Sequence, residues 1–261
     1  MSSTPTSSLR PFEGKVALVT GGTRGLGRTT AEWLIRDGAS VIISAREADK
    51  VDQAVAEIAE LGGTVWGVPA DLSRIEDAHR LAQEALKLVP HLDILVNNAG
   101  MSIRGNFWNV TDQDWEYQTN VNFRSPYILA QHAAKHMIER GIKGRIVNTS
   151  TIGARACHSN AAVYDSAKGA VETMTRNMAY ELGPYGITVN CVVPGAISER
   201  PGSTFDPVRA APYIRHIPVG RIGRAEDISA VVRFFCLPES SFISGEALLV
   251  SGAHDTYLPE F

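Results

Sequence analysis

The residues best suited to chemistry are a tyrosine and a lysine one helical turn apart. Tyr164 and Lys168 lie in the stretch AAVYDSAKGAVETM (161–174), whose pattern of small and apolar residues predicts a helix. Side chains four residues apart lie on one face of a helix, so the phenol and the ammonium group are neighbours. The pair is either a surface hydrogen bond or a device for acid–base catalysis.

Electrostatic magnitudes favour the catalytic interpretation of this pair. A free tyrosine has a pKa of ~10, and bringing that pKa to ~7 costs about 4 kcal/mol. A positive charge about 5 Å away, at an effective dielectric constant of ~20, supplies on the order of 3 kcal/mol. Lys168 therefore provides most of the shift that lets a phenol exchange protons in neutral solution.

Short β-branched runs alternate with longer amphipathic segments along the chain. The predicted strands are residues 15–20, 40–45, 64–70, 92–98, 144–150, 186–193 and 246–252. The predicted helices are residues 25–37, 47–61, 73–89, 112–140, 161–183 and 225–237. Ser73 and Thr111 are the expected N-caps of two of them, because each supplies a side-chain oxygen before an acidic first turn.

The strands are nearly continuous apolar runs, as expected when helices cover both faces of a sheet. The chain is therefore predicted to be an α/β protein with a single-domain Rossmann fold, built on a seven-stranded parallel doubly wound sheet. Residues 1–11 are expected to be a flexible tail, and residues 12–261 one catalytic domain. The segment 195–218 is rich in Pro and Gly, which suggests a functional loop at the substrate site.

A glycine-rich turn follows the first predicted strand and opens the first predicted helix, in VTGGTRGLGRTTAEWL. Gly21, Gly25 and Gly27 fall where the backbone must turn tightly and approach a pyrophosphate. The helix N-terminus offers amide groups and a positive dipole at the same place. Glycines occur in ordinary strand-to-helix turns as well, but the position after the first strand of a parallel sheet favours a dinucleotide site.

Five motifs together resemble those of the short-chain dehydrogenase/reductase family, in that family's order and spacing. They are Thr20-Gly21-x-x-x-Gly25-x-Gly27, NNAG (97–100), Tyr164-x-x-x-Lys168, VPG (193–195) and the C-terminal segment 218–252. The resemblance covers roughly residues 12–252. It implies an oxidoreductase that transfers a hydride between a nicotinamide coenzyme and a carbonyl or secondary alcohol.

The resemblance also implies four catalytic residues: Asn122, Thr151, Tyr164 and Lys168. Tyr164 would be the general acid or base, and Lys168 would tune it and bind the nicotinamide ribose. The family's active-site hydroxyl falls on Thr151, thirteen residues before the tyrosine, with Ser150 as the alternative. Asn122 fits the family's helix asparagine, which holds a water near the lysine, although Asn120 is close by.

The end of the second predicted strand determines which nicotinamide coenzyme is expected. NAD-binding folds have an acidic residue there, which binds the ribose hydroxyls. This chain has Ala45 followed by Arg46, so no carboxylate repels a 2′-phosphate and Arg46 is able to bind it bidentately. Arg24, inside the glycine turn, is expected to reach the same phosphate. NADP(H) is therefore predicted over NAD(H), the alternative being two solvated surface arginines.

By resemblance, the coenzyme-binding residues are Gly21, Thr23, Arg24, Gly25, Leu26, Gly27, Ala45, Arg46, Asp71, Leu72, Asn98, Ala99, Gly100, Tyr164, Lys168, Pro194, Gly195 and Ile197. Asp71 would lie beside the adenine, or would merely precede a helix. Ser198 stands near the place where relatives have a threonine beside the nicotinamide amide. The sequence departs from the family pattern there.

Three segments are expected around the substrate: 101–107, 152–160 and 195–218. Their candidate side chains are Arg104, Arg155, His158, Phe205, Tyr213 and His216. Basic, aromatic and hydroxyl groups would suit a polar carbonyl, a polyol or a sugar, but basic residues on loops are mostly solvated, so the substrate is not identified. Helices 112–140 and 161–183 resemble the helices paired at the family's subunit contacts, which implies a homodimer or homotetramer.

Composition limits the remaining classes of function. The chain has 261 residues, of which 44% are hydrophobic and 20% charged, as in ordinary globular proteins. A net charge of −3 without a long basic run gives no support to nucleic-acid or membrane-surface partners. Three cysteines far apart indicate neither a zinc site nor a disulfide framework. The start of the chain lacks a secretory signal, so a cytoplasmic location is expected.

Two other functions are compatible with the same fold. One is a non-catalytic protein that binds NADP(H) and regulates a partner, and the other is an epimerase or eliminating enzyme that works through a keto intermediate. The complete set of Thr151, Tyr164 and Lys168 weighs against a regulator, because a sensor has no need of a tuned phenol. Net coenzyme turnover would separate an oxidoreductase from an epimerase.

Overall fold

The computed structural model describes residues 10–198, 211 and 214–254 of the chain. Residues 1–9 of the predicted tail lie outside the described residues. So do most of the predicted loop at 195–218 and two of its candidate side chains, Phe205 and Tyr213.

Seven strands form one parallel sheet in the order β3-β2-β1-β4-β5-β6-β9. They are β1 (Val16–Thr20), β2 (Ser40–Ser44), β3 (Val65–Gly67), β4 (Ile94–Asn97), β5 (Arg145–Thr149), β6 (Thr188–Pro194) and β9 (Ala247–Val250). A separate pair of short parallel strands consists of β7 (Ile197–Ser198) and β8 (Gly223–Arg224). The prediction of a seven-stranded parallel sheet is confirmed.

Helices cover both faces of this sheet. They are α1 (Gly25–Arg36), α2 (Ala48–Ala59), α3 (Ile75–Leu88), α4 (Asp112–Thr119), α5 (Ser125–Glu139), α6 (Ala162–Leu182) and α7 (Ala225–Cys236). One apolar core joins α1, α2 and α7 to the sheet, and the other joins α3 and α5 to the opposite face. In the part of the chain that the structure describes, we find no helix with the length and apolar character needed to span a membrane.

The strands need continuous apolar sequence because both of their faces are buried. In β1, Val16 and Leu18 pack into the core beneath α3 and α5, whereas Ala17 and Val19 pack into the core beneath α1 and α7. Side chains alternate between the two faces of a strand, so every position of such a strand meets a helix layer.

The predicted helix at 112–140 is interrupted by a π-helical turn at Asn120–Arg124. Pro126 lies at the start of α5 and has no backbone N–H to donate to the residue-122 carbonyl. The wider turn accommodates this missing hydrogen bond, and α4, the π-helical turn and α5 follow one another without a gap. The stretch predicted to be helical at 112–140 is therefore helical from Asp112 to Glu139, with a π-helical turn inside it.

Smaller differences concern one strand and one N-cap. The strand predicted at 64–70 ends at Gly67. Ser73 does not cap α3, whose N-cap is Arg74, because the Ser73 hydroxyl donates to Asp71 Oδ1 at 2.7 Å. Thr111 does cap α4, since its side-chain oxygen accepts from the Asp114 N–H.

The order of the strands locates a crevice. Strand β1 lies between β2 and β4. The chain therefore leaves β1 toward β2 and leaves β4 toward β5, which are opposite directions along the sheet. Ligands of doubly wound sheets bind at this switch point, beyond the carboxyl ends of the strands. The segments that follow β1, β4, β5 and β6 all emerge at that edge.

Candidate active site

A cleft of about 640 Å³ occupies the switch point. It is lined by nearly all of the predicted coenzyme residues and by three of the four predicted catalytic residues. These are Gly21, Thr23, Arg24, Gly25, Leu26, Ala45, Arg46, Asp71, Leu72, Asn98, Ala99, Gly100, Thr151, Tyr164, Lys168, Pro194, Gly195 and Ile197. The other two predicted residues, Gly27 and Asn122, are buried and do not belong to this lining.

The glycine turn between β1 and α1 has the geometry of an anion site. Gly21 and Gly25 have φ values of 67° and 54°, a region that side-chain-bearing residues rarely adopt. Helix α1 begins at Gly25, and the side chain of its N-cap, Arg24, makes no capping hydrogen bond. The first amides of α1 therefore point into the cleft without a side-chain cap, as a bound pyrophosphate requires.

Gly27 packs directly against the backbone of this turn. A Cβ atom at position 27 would overlap the Gly21 carbonyl and would lie 2.5 Å from Asn98 Nδ2. The same Asn98 amide donates to the Thr20 carbonyl at 3.0 Å, so it also braces the end of β1. The turn, the end of β1 and the segment after β4 are therefore packed too closely for any side chain at Gly27.

Gly27→Ala is expected to lower the free energy of unfolding by about 1–3 kcal/mol, since relieving an overlap in a packed site typically costs that much. Urea unfolding followed by tryptophan fluorescence measures the difference. Gly183→Ala is the matched control, because a Cβ at Gly183 meets nothing within 4 Å. Equal unfolding free energies for the two variants would contradict this account of the turn.

Positive charge lies at the end of β2, where neither of the two residues after the strand is acidic, although Glu47 follows them and lines the same cleft. Ala45 and Arg46 follow that strand, and Arg46 Nη1 donates to the Tyr117 hydroxyl at 3.3 Å. Arg24 lines the same cleft from the glycine turn. Asp71 Oδ1 accepts from the Ser73 N–H at 3.0 Å, so its carboxylate also organises the approach to α3.

Lys168 is the most buried charged group of the cleft. Its side chain projects from α6, and Nζ donates to the Thr149 carbonyl at 2.8 Å at the end of β5. Nζ lies 5.9 Å from the centroid of the Tyr164 ring, so the two side chains share one face of the helix. Burial lowers the pKa of Lys168 from an ordinary value of 10.5 to about 8. The ammonium form still predominates at pH 7, because a pKa one unit above the pH leaves about ten protonated groups for each neutral one.

The hydroxyls of Ser150 and Thr151 lie in different environments. Ser150 Oγ lies 3.1 Å from the Lys168 carbonyl oxygen and 2.9 Å from Glu172 Oε1, so it bonds to α6. Thr151 Oγ1 accepts from the Gly153 N–H at 3.4 Å and lines the cleft with Tyr164. Both residues line the cleft, but the Ser150 hydroxyl bonds to α6, so the geometry favours Thr151 as the hydroxyl that binds a substrate.

Asn122 is held inside the π-helical turn. Its Nδ2 donates to the carbonyls of Met101 and Gln118 at 2.7 and 2.8 Å, and its Oδ1 accepts from the Met101 N–H. Gly100 lies between Asn122 and Lys168, since a Cβ there would be 3.2 Å from Asn122 Oδ1 and 3.4 Å from Lys168 Nζ. Asn122 therefore fixes the segment after β4 in its position beside Lys168. Asn120 points away from this segment and donates to the Ser73 carbonyl.

The basic residues predicted around the substrate have partners within the protein. Arg104 donates to the Ser159 carbonyl, and Arg155 bonds to Glu172 and to the Ala247 carbonyl. His158 bonds to Asp165, and His216 to Arg215. Ser198, the residue expected near the nicotinamide amide, lies in β7. The bonds of these four basic residues weaken the suggestion of a polar carbonyl, polyol or sugar-like substrate.

Sequence reasoning did not single out eleven other residues of the cleft: Arg28, Ser44, Glu47, Lys50, Gln53, Ala54, Glu57, Ala70, Tyr117, Val121 and Thr149. Lys50 adds a further cation to the lining that holds Arg24 and Arg46, and its place in the first turn of α2 puts it four residues after Arg46. That spacing was a usable signal. Tyr117 and Val121 belong to another helix, and no local pattern connects them with the end of β2.

A doubly wound parallel sheet with a glycine turn at its switch point defines a nucleotide-binding domain of the Rossmann type. The family model described as enoyl-(acyl carrier protein) reductase matches residues 21–253. The hydroxynaphthalene reductase-like protein Arp2 of Metarhizium majus is 35% identical, over 95% of this chain and 97% of that protein. The chain belongs to the short-chain dehydrogenase/reductase family of oxidoreductases.

Two further relatives agree with this assignment. The dehydrogenase/reductase SDR family member 4 of Sus scrofa is 34% identical, over 97% of this chain and 91% of its own. The crystal structure of a short-chain dehydrogenase from Burkholderia cenocepacia in complex with NADP is 33% identical, with a TM-score of 0.85. That similarity covers 94% of this chain and 99% of the solved chain.

Proposed function

We propose that this protein is an NADP(H)-dependent oxidoreductase that interconverts a carbonyl compound and a secondary alcohol, with Tyr164 as the general acid and base. The observation that carries the proposal is the meeting of two parts in one cleft. The glycine turn lies at one end of it, and Tyr164, Lys168 and Thr151 lie at the other. An anion site beside a phenol–ammonium pair suits hydride transfer coupled to proton transfer.

The lining residues fit a dinucleotide. The amides at the start of α1 would bind the pyrophosphate, Arg24 and Arg46 the 2′-phosphate, and Lys168 the nicotinamide ribose. Lys168 uses one of its three donors on the Thr149 carbonyl, which leaves two for ribose hydroxyls. When bound, the coenzyme supplies the hydride for reduction or accepts it in oxidation.

The chain itself supplies the proton and orients the substrate. In reduction, Tyr164 gives its phenolic proton to the carbonyl oxygen as the carbon–oxygen π bond breaks. In oxidation, the Tyr164 phenolate takes the alcohol proton. The Thr151 hydroxyl donates a hydrogen bond to the same oxygen, and the positive charge of Lys168 stabilises the phenolate in both directions.

A coenzyme absorbance screen tests the proposal directly. NADPH and NADH are offered with ketones, sugars and acyl thioesters, and NADP⁺ and NAD⁺ with polyols and hydroxysteroids, while the reduced-nicotinamide band is followed. We expect net coenzyme turnover with at least one class of carbonyl or alcohol. Coenzyme binding with no turnover across the whole panel would instead support the regulatory alternative.

Arg46→Ala tests the coenzyme preference. Loss of a charge-assisted hydrogen bond to a 2′-phosphate is expected to raise the Kd for NADPH about tenfold, and to leave the Kd for NADH unchanged or lower. Fluorescence titration with both coenzymes measures the ratio. Arg140→Ala, at the far end of α5, is the control. An unchanged NADPH affinity together with tighter NADH binding would show that Arg46 does not bind the phosphate.

The assembly and the cellular location stay predictions. A homodimer or homotetramer would use the helices at 112–140 and 161–183, which are α4, α5 and α6. Tyr127 and Tyr180 are exposed on α5 and α6. Sedimentation equilibrium measures the oligomeric state. The cytoplasmic location rests on the sequence argument given above.

A further inference from the structure

The carboxylate of Asp165, the residue next to the proposed acid–base tyrosine, bonds to a loop outside its own helix. Asp165 follows Tyr164 in the first turn of α6, and its side chain is 11% exposed. Its Oδ2 accepts from the His158 backbone N–H at 2.8 Å, and its Oδ1 lies 2.9 Å from His158 Nδ1. Both oxygens therefore contact the loop at 152–160, which joins Thr151 to α6. In this geometry His158 Nδ1–H donates to Asp165 Oδ1, since a carboxylate oxygen accepts.

The contacts continue from His158 to the active-site hydroxyl through Gly153. A Cβ atom at Gly153 would overlap both Asp165 Oδ1 and the His158 ring, so this pair lies directly against the Gly153 backbone. The Gly153 N–H in turn donates to Thr151 Oγ1 at 3.4 Å. One continuous path of contacts thus joins the loop after β5, which carries the hydroxyl, to the helical turn that carries the phenol.

The far end of the same loop is held by a different part of the chain. The Gly105 N–H donates to the Asn160 carbonyl at 2.9 Å, and Arg104 Nη1 donates to the Ser159 carbonyl at 2.9 Å. Asn160 has a φ of 60°, a left-handed conformation that asparagine tolerates better than most residues. The loop is therefore anchored at both ends, with the Asp165–His158 contact between the anchors.

We propose that Asp165 and His158 form a clamp that fixes the separation between the Thr151 hydroxyl and the Tyr164 phenol. Asp165 is then a positioning residue, which acts through the loop and does not touch the substrate. The inference rests on the acid–base roles proposed above. Its expected effect is sizeable, because misplacing a reacting group by about 1 Å costs up to ~10²-fold in rate.

Two substitutions at one position test the clamp. Asp165→Ala removes both acceptor oxygens, whereas Asp165→Asn keeps one for the His158 backbone N–H. We expect Asp165→Ala to lower kcat for diacetyl reduction by NADPH about tenfold or more, with the NADPH Kd changed by less than about twofold. Hydrogen exchange in the peptide spanning 152–160 should become faster in Asp165→Ala, and Asp165→Asn should restore most of both properties.

Glu76→Ala is the control, since Glu76 is an exposed acidic residue in the first turn of α3 and shares only the helix-dipole role. Wild-type kcat and wild-type exchange in Asp165→Ala would overturn the proposal. So would a parallel loss of kcat, NADPH affinity and melting temperature that Asp165→Asn does not rescue, because that pattern describes a general folding defect. If Tyr164→Phe keeps full turnover in the same assay, the proposed function fails, and the exchange data still decide whether the clamp holds the loop.

Discussion

Tyr164→Phe is expected to lower kcat by about 10²- to 10⁴-fold, the range that a positioned general acid or base contributes. The substitution removes one oxygen and keeps the ring, which projects from α6 beside Lys168 with Nζ 5.9 Å from the ring centroid. The glycine turn, Asn98 and Arg46 are untouched, so the NADPH affinity should change little. Stopped-flow single turnover measures the chemical step, and fluorescence titration measures the affinity.

The chain offers a matched control on the same helix. Tyr180 is 87% exposed and lies four helical turns further along α6, outside the residues that line the cleft. Tyr180→Phe should therefore keep wild-type turnover. Comparable activity in the two variants would end the acid–base assignment of Tyr164, whereas loss of NADPH binding in Tyr164→Phe would show that the phenol serves the coenzyme instead.

Lys168→Met is expected to lower kcat by a similar factor of about 10²- to 10⁴-fold and also to change how stability depends on pH. In the folded protein, burial lowers the pKa of Lys168 to about 8, below its ordinary 10.5. Between those two values the unfolded chain binds more protons than the folded one, so this group makes stability rise with pH. Below pH 8 the folded state bears the full cost of the buried charge, roughly 3 kcal/mol by the pKa difference.

The measurable quantity is a difference between proteins. The free energy of unfolding of Lys168→Met minus that of the wild type should fall by roughly 3 kcal/mol between pH 7 and pH 10.5, because only the wild type gains stability from this lysine. Loss of the bond to the Thr149 carbonyl adds an offset that does not vary with pH. Urea unfolding followed by tryptophan fluorescence at several pH values measures this difference in the free energy of unfolding. Lys135→Met changes an exposed position of α5, so its unfolding free energy should vary with pH in the same way as that of the wild type. The same pH dependence in Lys168→Met would contradict the burial argument.

The fold was readable from the sequence because its constraints are local. A strand with helices on both faces is apolar over most of its length, and β1 and β2 fit this with VALVT and SVIIS, whose hydroxyl residues stand at the strand ends. The glycine turn was readable for the same reason, since positive φ at Gly21 and Gly25 and the overlap at Gly27 are each a property of one residue. Short-range spacing likewise predicted that Tyr164 and Lys168 share a helix face.

Other features depended on contacts between distant segments. The sequence places two hydroxyls side by side, and only the packing of β5 against α6 shows that the Ser150 hydroxyl bonds to Lys168 and Glu172. Both residues line the cleft, so it is these bonds that favour Thr151 as the hydroxyl for a substrate. Arg155 looked like a substrate-binding cation until the fold brought it to Glu172 and the edge strand.

The π-helical turn within the helical stretch at 112–140 is a feature that local reasoning did not predict. The sequence pattern predicted a helical stretch, and the effect of Pro126 is visible only in the turn at Asn120–Arg124, which positions Asn122 between Met101 and Gln118. The sequence by itself determined the sheet, the glycine turn and the phenol–ammonium pair, because backbone sterics and side-chain period act over a few residues. The tertiary structure decided which polar groups bind each other and which face the cleft, because that depends on partners 17 to 92 residues apart in the chain.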